Sequence, residues 1–294
     1  MHLRSVFRVG AVLLAACGGD ADDAGVTVDA AAPDAALPCA ASDPFRSSTP
    51  LVLQHAGQRV VPSGLSADEL TAYYSVYRSP GGPTQPPESD IYAAHRADVT
   101  QPFDDGAPVE ATRTPYLEFN AFESTDGREL FFAREDDWGG SIRLYRALRA
   151  SRAEPFGVPA AMPLDRLAIA GTVDAAGDEL FYAHLSSYVS RTPSIFHATR
   201  TSGPFAGGTV FMQFPASEEP GRPVLSGDGL TLYFSRVVDG AEAIWMMHRP
   251  LVGGPWSGPD RLPGGDLATP LWESPDGCRL YVDKGHGTYV LSRR

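Results

Sequence analysis

Apolar and polar positions form short alternating runs, and one combined pattern returns about every fifty residues along the chain. Its first part is a polar turn of the form Ser-x-Asp-Gly followed by an apolar and aromatic run, as in "ESTDGRELFFAR" and "LSGDGLTLYFSR". Its second part is a shorter run such as "IYAAHR" or "LYRALR". Runs of this length that are rich in aromatic residues and bounded by turn residues are typical of strands. The pattern therefore predicts a repeated β unit.

Each copy of the second run places an aromatic residue four positions before an arginine, and residues four apart on a strand share one face. The five pairs are Tyr92 and Arg96, Tyr145 and Arg149, Phe196 and Arg200, Trp245 and Arg249, and Tyr289 and Arg293. Such arginines form either a basic ring that binds a ligand or pairs with acids or carbonyls between neighbouring units. Because every unit carries one, we expect the pairing role.

A Pro-aromatic pair follows the arginine in four units, at Pro102-Phe103, Pro155-Phe156, Pro204-Phe205 and Pro255-Trp256. Proline lacks the donor that an inner strand needs, so the pair is expected to open an edge strand. With the short apolar stretch before each turn, such as "RPVLS", this makes four strands in each unit. The fifth unit ends at "TYVLSRR" without such a pair, whereas an orphan pair, Pro44-Phe45, precedes the first unit.

These motifs resemble the WD40-like β-propeller repeat of the TolB type over about residues 44–294. The resemblance implies an all-β propeller built from four-stranded antiparallel blades. Two turns depart from the pattern, since Glu69 replaces the glycine of the first and Ala176 replaces the aspartate of the third. We expect those two turns to be rebuilt.

Five units and one displaced strand together predict a five-bladed propeller over residues 41–294. A three-stranded last sheet would expose an edge and leave the ring open. Residues near 44–53 are therefore expected to complete the last blade, beside residues 271–294.

The cysteines bear on this closure. Cys278 lies in the turn between the first and second strands of the last blade, and Cys39 precedes the displaced strand by five residues. In an antiparallel blade that turn lies at the same end as the start of the fourth strand, so a disulfide between Cys39 and Cys278 is geometrically reasonable. The alternative is a pair of free thiols.

The N-terminus has the features of a bacterial secretory leader. Arg4 and Arg8 precede a short apolar run, "VGAVLLAA", which is too short to span a bilayer as a permanent helix. The following "LAAC" resembles the lipobox of bacterial lipoproteins, which implies that residues 1–16 are removed and that Cys17 is lipidated. An ordinary signal peptide that contains a cysteine is the alternative.

The lipobox resemblance also implies a location in the cell envelope, held to the membrane by acyl chains. Gly18, where an aspartate would resemble an inner-membrane retention signal, favours the outer membrane. Residues 17–40 hold five aspartates and no aromatic residue, and are expected to be a disordered acidic tether.

Charge excludes one class of partner. The chain has 24 basic and 36 acidic residues, a net charge of −12, and removal of residues 1–16, with two arginines and no acid, lowers it to −14. Nucleic acid is therefore not an expected partner.

The sequence contains no compact catalytic or metal-binding motif, and we expect neither a metal nor another cofactor. The repeated turn residues Asp68, Asp126, Asp228 and Asp276 invite a metal interpretation, but a turn aspartate normally accepts backbone N–H bonds. Three histidines, His95, His197 and His248, fall on the arginine-bearing strands of separate blades, where they indicate packing positions.

The favoured function is a non-enzymatic binding or scaffold module with a protein or glycan ligand at one propeller face. The weak catalytic candidates are Glu123, Asp174 and Glu273, at the ends of inner strands, and would suit a glycosidase-like five-bladed propeller. A lectin-like module would use loop aromatics such as Trp138 and Tyr188.

Overall fold

The apolar runs form strands, and the strands form the predicted blades. The computed structural model describes residues 39–40, 43–56, 58, 60–78, 88–136, 141–164, 167–184, 193–218 and 220–294. In chain order the strands are β1 (Ser47–Leu51), β2 (Val60–Leu65), β3 (Thr71–Arg78), β4 (Glu88–His95), β5 (Ala107–Pro108), β6 (Glu118–Glu123), β7 (Glu129–Glu135), β8 (Ile142–Leu148), β9 (Ala160–Ala161), β10 (Ala168–Val173), β11 (Glu179–His184), β12 (Ser194–Thr199), β13 (Thr209–Gln213), β14 (Val224–Leu225), β15 (Thr231–Val238), β16 (Ala241–His248), β17 (Ser257–Asp266), β18 (Thr269–Glu273), β19 (Arg279–Asp283) and β20 (Thr288–Ser292).

These strands make five antiparallel sheets of four strands, which we number as blades 1 to 5. Blade 1 has the order β2-β3-β4-β5, blade 2 β6-β7-β8-β9, blade 3 β10-β11-β12-β13, blade 4 β14-β15-β16-β17, and blade 5 β18-β19-β20-β1. The inner strands contact one another in turn from β2 through β6, β10 and β14 to β18, and β18 contacts β2. The protein is thus a five-bladed β-propeller, as the sequence predicted.

Helical structure is almost absent from these residues. A single 3-10 turn, Glu110–Thr112, follows β5. In the described part of the chain no helix combines the length and apolar character needed to cross a membrane.

The second strand of each blade lies between two layers of side chains, because neighbouring blades stack face to face. In β7 the consecutive residues Leu130, Phe131, Phe132 and Ala133 are all fully buried. A strand that is covered on both faces needs apolar residues at successive positions. This explains why the second strands read as continuous apolar runs.

The displaced N-terminal strand completes the last blade. Strand β1 pairs with β20 from Ser47 opposite Ser292 to Leu51 opposite Thr288, and the Arg46 N–H donates to the Ser292 carbonyl at 2.7 Å. The prediction of closure by residues near 44–53 is therefore confirmed. One detail differs, because the Pro-aromatic pair lies before the fourth strand: Phe45 precedes β1, and Phe103 precedes β5 by several residues.

The structure joins Cys39 to Cys278 by a disulfide, with their Cα atoms 5.0 Å apart. Cys278 is buried, and the Cys39 N–H donates to the Asp276 carbonyl at 2.9 Å. The bond links residues 239 positions apart, at the point where the chain enters the propeller. It therefore attaches the start of the displaced strand to the blade that this strand completes.

We expect the double replacement Cys39→Ser with Cys278→Ser to lower the free energy of unfolding by about 3–5 kcal/mol, because the unfolded chain regains the freedom that this long loop closure removes. Urea unfolding of the oxidised protein and the variant measures the difference. Wild type in reductant is the matched control and should unfold like the variant. Equal urea midpoints for oxidised wild type and variant would contradict the assignment of the bond.

Candidate functional site

The repeated arginine directly follows the third strand of each blade. Its guanidinium stacks on the aromatic ring of the Pro-aromatic pair, which lies before the fourth strand. The distances from guanidinium carbon to ring centroid are 4.5 Å for Arg96 and Phe103, 4.2 Å for Arg149 and Phe156, 4.3 Å for Arg200 and Phe205, 4.7 Å for Arg249 and Trp256, and 4.3 Å for Arg293 and Phe45. Cation–π contact of this kind is favourable when it is shielded from water. Phe45, from the N-terminal Pro-aromatic pair, thus stacks on the arginine of the last blade in the same way as the equivalent rings of the other four blades.

The same arginines bind the turn of their own blade. The Nε atoms of Arg149, Arg200 and Arg249 donate to the carbonyls of Gly127, Gly177 and Gly229 at 2.6–2.7 Å, Arg96 Nε donates to the Glu69 carbonyl at 2.7 Å, and Arg293 Nη1 donates to the Gly277 carbonyl at 2.9 Å. Each arginine therefore joins three segments of its blade: the third strand, the first turn and the entry to the fourth strand.

At two blade interfaces the carboxylate comes from the preceding blade. Arg200 Nη1 of blade 3 lies 2.9 Å from the Glu129 carboxylate of blade 2, and Arg249 Nη1 of blade 4 lies 3.2 Å from Glu179 of blade 3. Both glutamates are the first residue of a second strand. These pairs agree with the expectation that the arginines bind acids between neighbouring blades.

At two other interfaces, 1/2 and 4/5, threonine takes that position and the carboxylate comes from the arginine's own blade. Thr71 and Thr231 replace the glutamate, and Glu123 and Glu273 at the ends of inner strands supply the acid instead. Arg149 Nη2 donates to Glu123.

Glu273 lies in a fully buried network with two partners. Its Oε1 accepts a hydrogen bond from the Tyr233 hydroxyl at 2.8 Å and lies 3.7 Å from Arg293 Nη2. Arg293 Nη2 also donates to the Tyr233 oxygen at 2.8 Å. The tyrosine comes from blade 4 and the other two residues from blade 5, so the network joins these blades.

The remaining interface, between blades 5 and 1, is organised around Glu69. Arg279 occupies the glutamate position of blade 5, and its Nε donates to Glu69 at 2.8 Å, while the Tyr281 hydroxyl also donates to Glu69. Glu69 has a φ of +62°, a left-handed conformation that glycine adopts at the equivalent turn position in the other blades. The ion pair explains why a glutamate is accepted in this strained position.

The weak catalytic candidates Glu123 and Glu273 are therefore placed in contacts between blades. Both side chains are essentially inaccessible to solvent. Burial raises the pKa of each carboxyl, to about 7 for Glu273, against the opposing effects of Tyr233 and Arg293 on Glu273 and of Arg149 on Glu123. Both also line a cavity of about 140 Å³ in the central channel, to which all five blades contribute.

The third candidate, Asp174, is a turn residue. In the regular turn of blade 2, the Ser124 hydroxyl donates to Asp126, and these two side chains accept the N–H groups of Glu129 and Arg128 respectively. In blade 3 Asp174 stands in the place of the serine, and its Oδ1 accepts both equivalent N–H groups, at 2.7 and 2.8 Å.

This substitution accounts for Ala176. The Asp174 carboxylate accepts both N–H bonds that a serine and an aspartate share in the other turns. An alanine is therefore accepted where the other blades have aspartate. The backbone of the turn is retained, since the Gly177 N–H donates to the Asp174 carbonyl at 3.0 Å as Gly127 does to Ser124 at 2.8 Å. The two turns that depart from the motif therefore keep the backbone hydrogen bond of the other turns. Only their side-chain hydrogen bonds differ from the expected pattern.

The repeated aspartates have the same structural role in the four turns that contain them. Asp68, Asp126, Asp228 and Asp276 each accept the serine hydroxyl two residues earlier and a backbone N–H two residues later. Among the described residues, no group of three or more acid, histidine or cysteine side chains is placed to hold a metal ion.

The three histidines of the third strands each bind the first residue of the neighbouring second strand. His95 and His248 lie 3.2 and 3.1 Å from the hydroxyls of Thr71 and Thr231, and His197 lies 3.2 Å from Glu179. They therefore occupy separate packing positions in three blades. Cys17, Trp138 and Tyr188 lie outside the described residues.

A groove of about 880 Å³ runs between blades 1 and 2. Blade 1 contributes Tyr73 and Val109, and blade 2 contributes Phe156 and Val158, whose side chain is 94% exposed. A smaller groove of about 440 Å³ lies at the equivalent place between blades 5 and 1. Sequence reasoning missed the groove between blades 1 and 2, because its walls come from residues far apart in the chain.

Charged side chains join the two walls of this groove. Arg152 Nη1 of blade 2 lies 3.2 Å from Asp68 of blade 1, and Arg152 Nη2 donates to the Thr125 carbonyl at 2.9 Å. Glu110 and His95 also line it, and both are exposed. The groove therefore combines apolar contact area with a small number of charged groups.

Comparison with known proteins identifies the architecture. No protein-family model matches the chain, and no curated protein matches it in sequence. Among solved structures, a mannose phosphorylase of Leishmania mexicana in complex with phosphate ion is 12% identical, with a TM-score of 0.55 over 84% of this chain and 88% of that one. A hypothetical protein from Leishmania major is 11% identical, with a TM-score of 0.53 over the same shares. The likeness is one of β-propeller fold.

TolB from Acinetobacter baumannii is also similar, at 14% identity and a TM-score of 0.48, over 80% of this chain and 54% of TolB. This propeller thus spans about half the length of that TolB structure.

We expect Arg249→Ala to lower the free energy of unfolding by about 2–3 kcal/mol, because it removes the ion pair with Glu179, the bond to the Gly229 carbonyl and the stacking on Trp256. The Arg249 side chain is 1% exposed, whereas Arg261, which pairs with Asp266 on the surface, is 54% exposed. Arg261→Ala is the matched control and should change stability by no more than about 1 kcal/mol. Chemical denaturation compares the two, and equal losses would show that the repeated arginine does not hold the interface.

Proposed function

We propose that this protein is a lipid-anchored component of the bacterial cell envelope whose propeller serves as a non-enzymatic binding module for a protein segment. The groove between blades 1 and 2 is the observation that carries the proposal. Its volume of about 880 Å³ lies in the range of about 300–1,000 Å³ that is usual for ligand sites. The acids that would serve catalysis are instead bound by arginines or by a turn.

The anchor rests on the sequence of residues 1–17. A charged, an apolar and a small-residue region stand in order before Cys17, and several acyl chains on one cysteine give stable membrane attachment. Gly18 favours the outer membrane. Residues 17–40 then connect the anchor to the propeller at Cys39, on the side of the ring that carries the turns.

The chemistry of the groove favours a protein segment over a glycan. Sugar-binding sites commonly present an open aromatic face, but Tyr73 is 2% exposed and the Phe156 ring carries the Arg149 guanidinium on one side. Val158 and Val109 instead offer apolar contact, and the ion pair of Arg152 with Asp68 offers a charged one. Apolar anchors with a few charged groups suit side chains of an extended protein segment.

A glycan-active propeller is the second candidate, because Glu123 and Glu273 line one cavity in the channel. That cavity has about 140 Å³, below the usual size of a ligand site, and both acids are held by arginines. The Leishmania mexicana neighbour is a mannose phosphorylase, but at 12% identity the likeness concerns the fold. These observations favour the binding module over the enzyme.

For the anchor, we expect the full chain expressed in a Gram-negative host to incorporate an alkyne-labelled fatty acid and to fractionate with membranes, and Cys17→Ser to lose both properties. The reason is that a thioether to lipid needs the Cys17 sulfur. Cys39→Ser with Cys278→Ser is the control and should retain the label. Label that persists in Cys17→Ser would exclude the lipobox interpretation.

For the groove, we expect a photo-crosslinking amino acid at Val158 to capture a protein partner in the envelope of the native host. The same probe at Val210, which is 48% exposed on blade 3, is the matched control and should give no such product. Arg152→Glu, which reverses one charge of the groove, should weaken the Val158 product several-fold. Equal capture at both positions, or binding to a glycan array that Glu123→Gln abolishes, would contradict the proposal.

A further inference from the structure

Arg222 is a buried cation without an acidic partner. The residue is 5% exposed, and its Nη2 donates to the Asn120 side-chain oxygen at 2.8 Å. Its Nη1 is buried and makes no hydrogen bond to any residue that the structure describes. Within the part of the chain that the structure describes, no carboxylate oxygen lies within 4.0 Å of this guanidinium. Four of the repeated arginines are different, because Arg149, Arg200, Arg249 and Arg293 each lie within 4.0 Å of a glutamate carboxylate.

This side chain lies at the centre of the ring. Arg222 lies two residues before the inner strand of blade 4, and Asn120 lies on the inner strand of blade 2. Since blade 3 separates these two blades around the ring, a direct hydrogen bond between them has to cross the central channel. Asn120 also donates from Nδ2 to the Ile169 carbonyl of blade 3 at 2.9 Å. Three blades therefore meet at this asparagine.

An uncompensated guanidinium is unfavourable in such a place. Arginine stays protonated at neutral pH even though burial lowers the pKa of Arg222 to about 10. Asp283 acts on it electrostatically but lies beyond ion-pair distance, and its Oδ1 accepts the Gly285 N–H at 2.8 Å. Buried charges in folded proteins are normally paired, and no described carboxylate pairs with this one.

We propose that the central channel holds a small inorganic anion of the size of chloride, bound to Nη1 of Arg222 as its counter-ion. The anion has to be small because the guanidinium is almost inaccessible, which excludes the carboxylate of a protein or sugar ligand. Water would satisfy the free donor but would leave the charge unpaired. Ser63 on the inner strand of blade 1 also has a buried hydroxyl without a partner, and is a candidate second donor.

Thermal unfolding in sodium chloride and in sodium gluconate at equal ionic strength tests the site, because gluconate is too large to enter it. We expect the Tm of the wild-type protein to rise by a few degrees with chloride and to saturate, as binding to the folded state requires. Arg222→Met should abolish this chloride-specific rise. Arg261→Met, which removes a 54% exposed arginine, is the matched control and should retain it.

Crystals grown in sodium bromide give a second measurement that does not depend on the variant folding. We expect an anomalous peak at hydrogen-bonding distance from Arg222 Nη1 in the wild-type protein. A channel without such a peak, or with a water in that place, would overturn the proposal. A chloride-dependent rise of Tm that persists in Arg222→Met would overturn it as well.

Discussion

The ring depends on the bonds of the arginine that follows the third strand of each blade, because a guanidinium that is largely removed from water needs polar partners nearby. Four interfaces meet this requirement with a carboxylate: Glu129 and Glu179 come from the preceding blade, and Glu123 and Glu273 belong to the arginine's own blade. At the fifth interface Arg96 donates to the backbone carbonyls of Glu69 and Val99, and the Glu69 carboxylate pairs with Arg279. The partner of each arginine thus depends on what the neighbouring strands present.

This charge requirement also separates structural from functional residues. Acids at the ends of inner strands resemble catalytic groups in the sequence, but in the ring they neutralise arginines or cap a turn. Arg222 is the exception, since its bond to a neutral asparagine leaves a charge unmatched at the axis. Residues without a structural partner are therefore better indicators of a ligand than residues that merely line the channel. The groove between blades 1 and 2 adds an accessible surface of a different kind.

Much of the fold was predictable because it is local and repeated. The turn, the apolar second strand and the aromatic-arginine strand recur five times, and the orphan Pro44-Phe45 pair indicated where the missing strand comes from. The details of single turns were less predictable. Asp174 takes over the bonds of a serine and an aspartate, and Glu69 keeps a glycine conformation, because each turn has several chemically equivalent solutions. A departure from a motif therefore need not change the backbone.

The sequence by itself determined the number of blades, the antiparallel order within each and the closure by the N-terminal strand, because strand period and turn chemistry are properties of neighbouring residues. Only the tertiary structure decided which carboxylate meets which arginine. It also brought Asn120 and Arg222 together across the axis and formed the groove beside Val158. The physical reason is that the ion pairs across blades join residues 70 to 210 positions apart, and only the assembly of the ring brings such residues into contact.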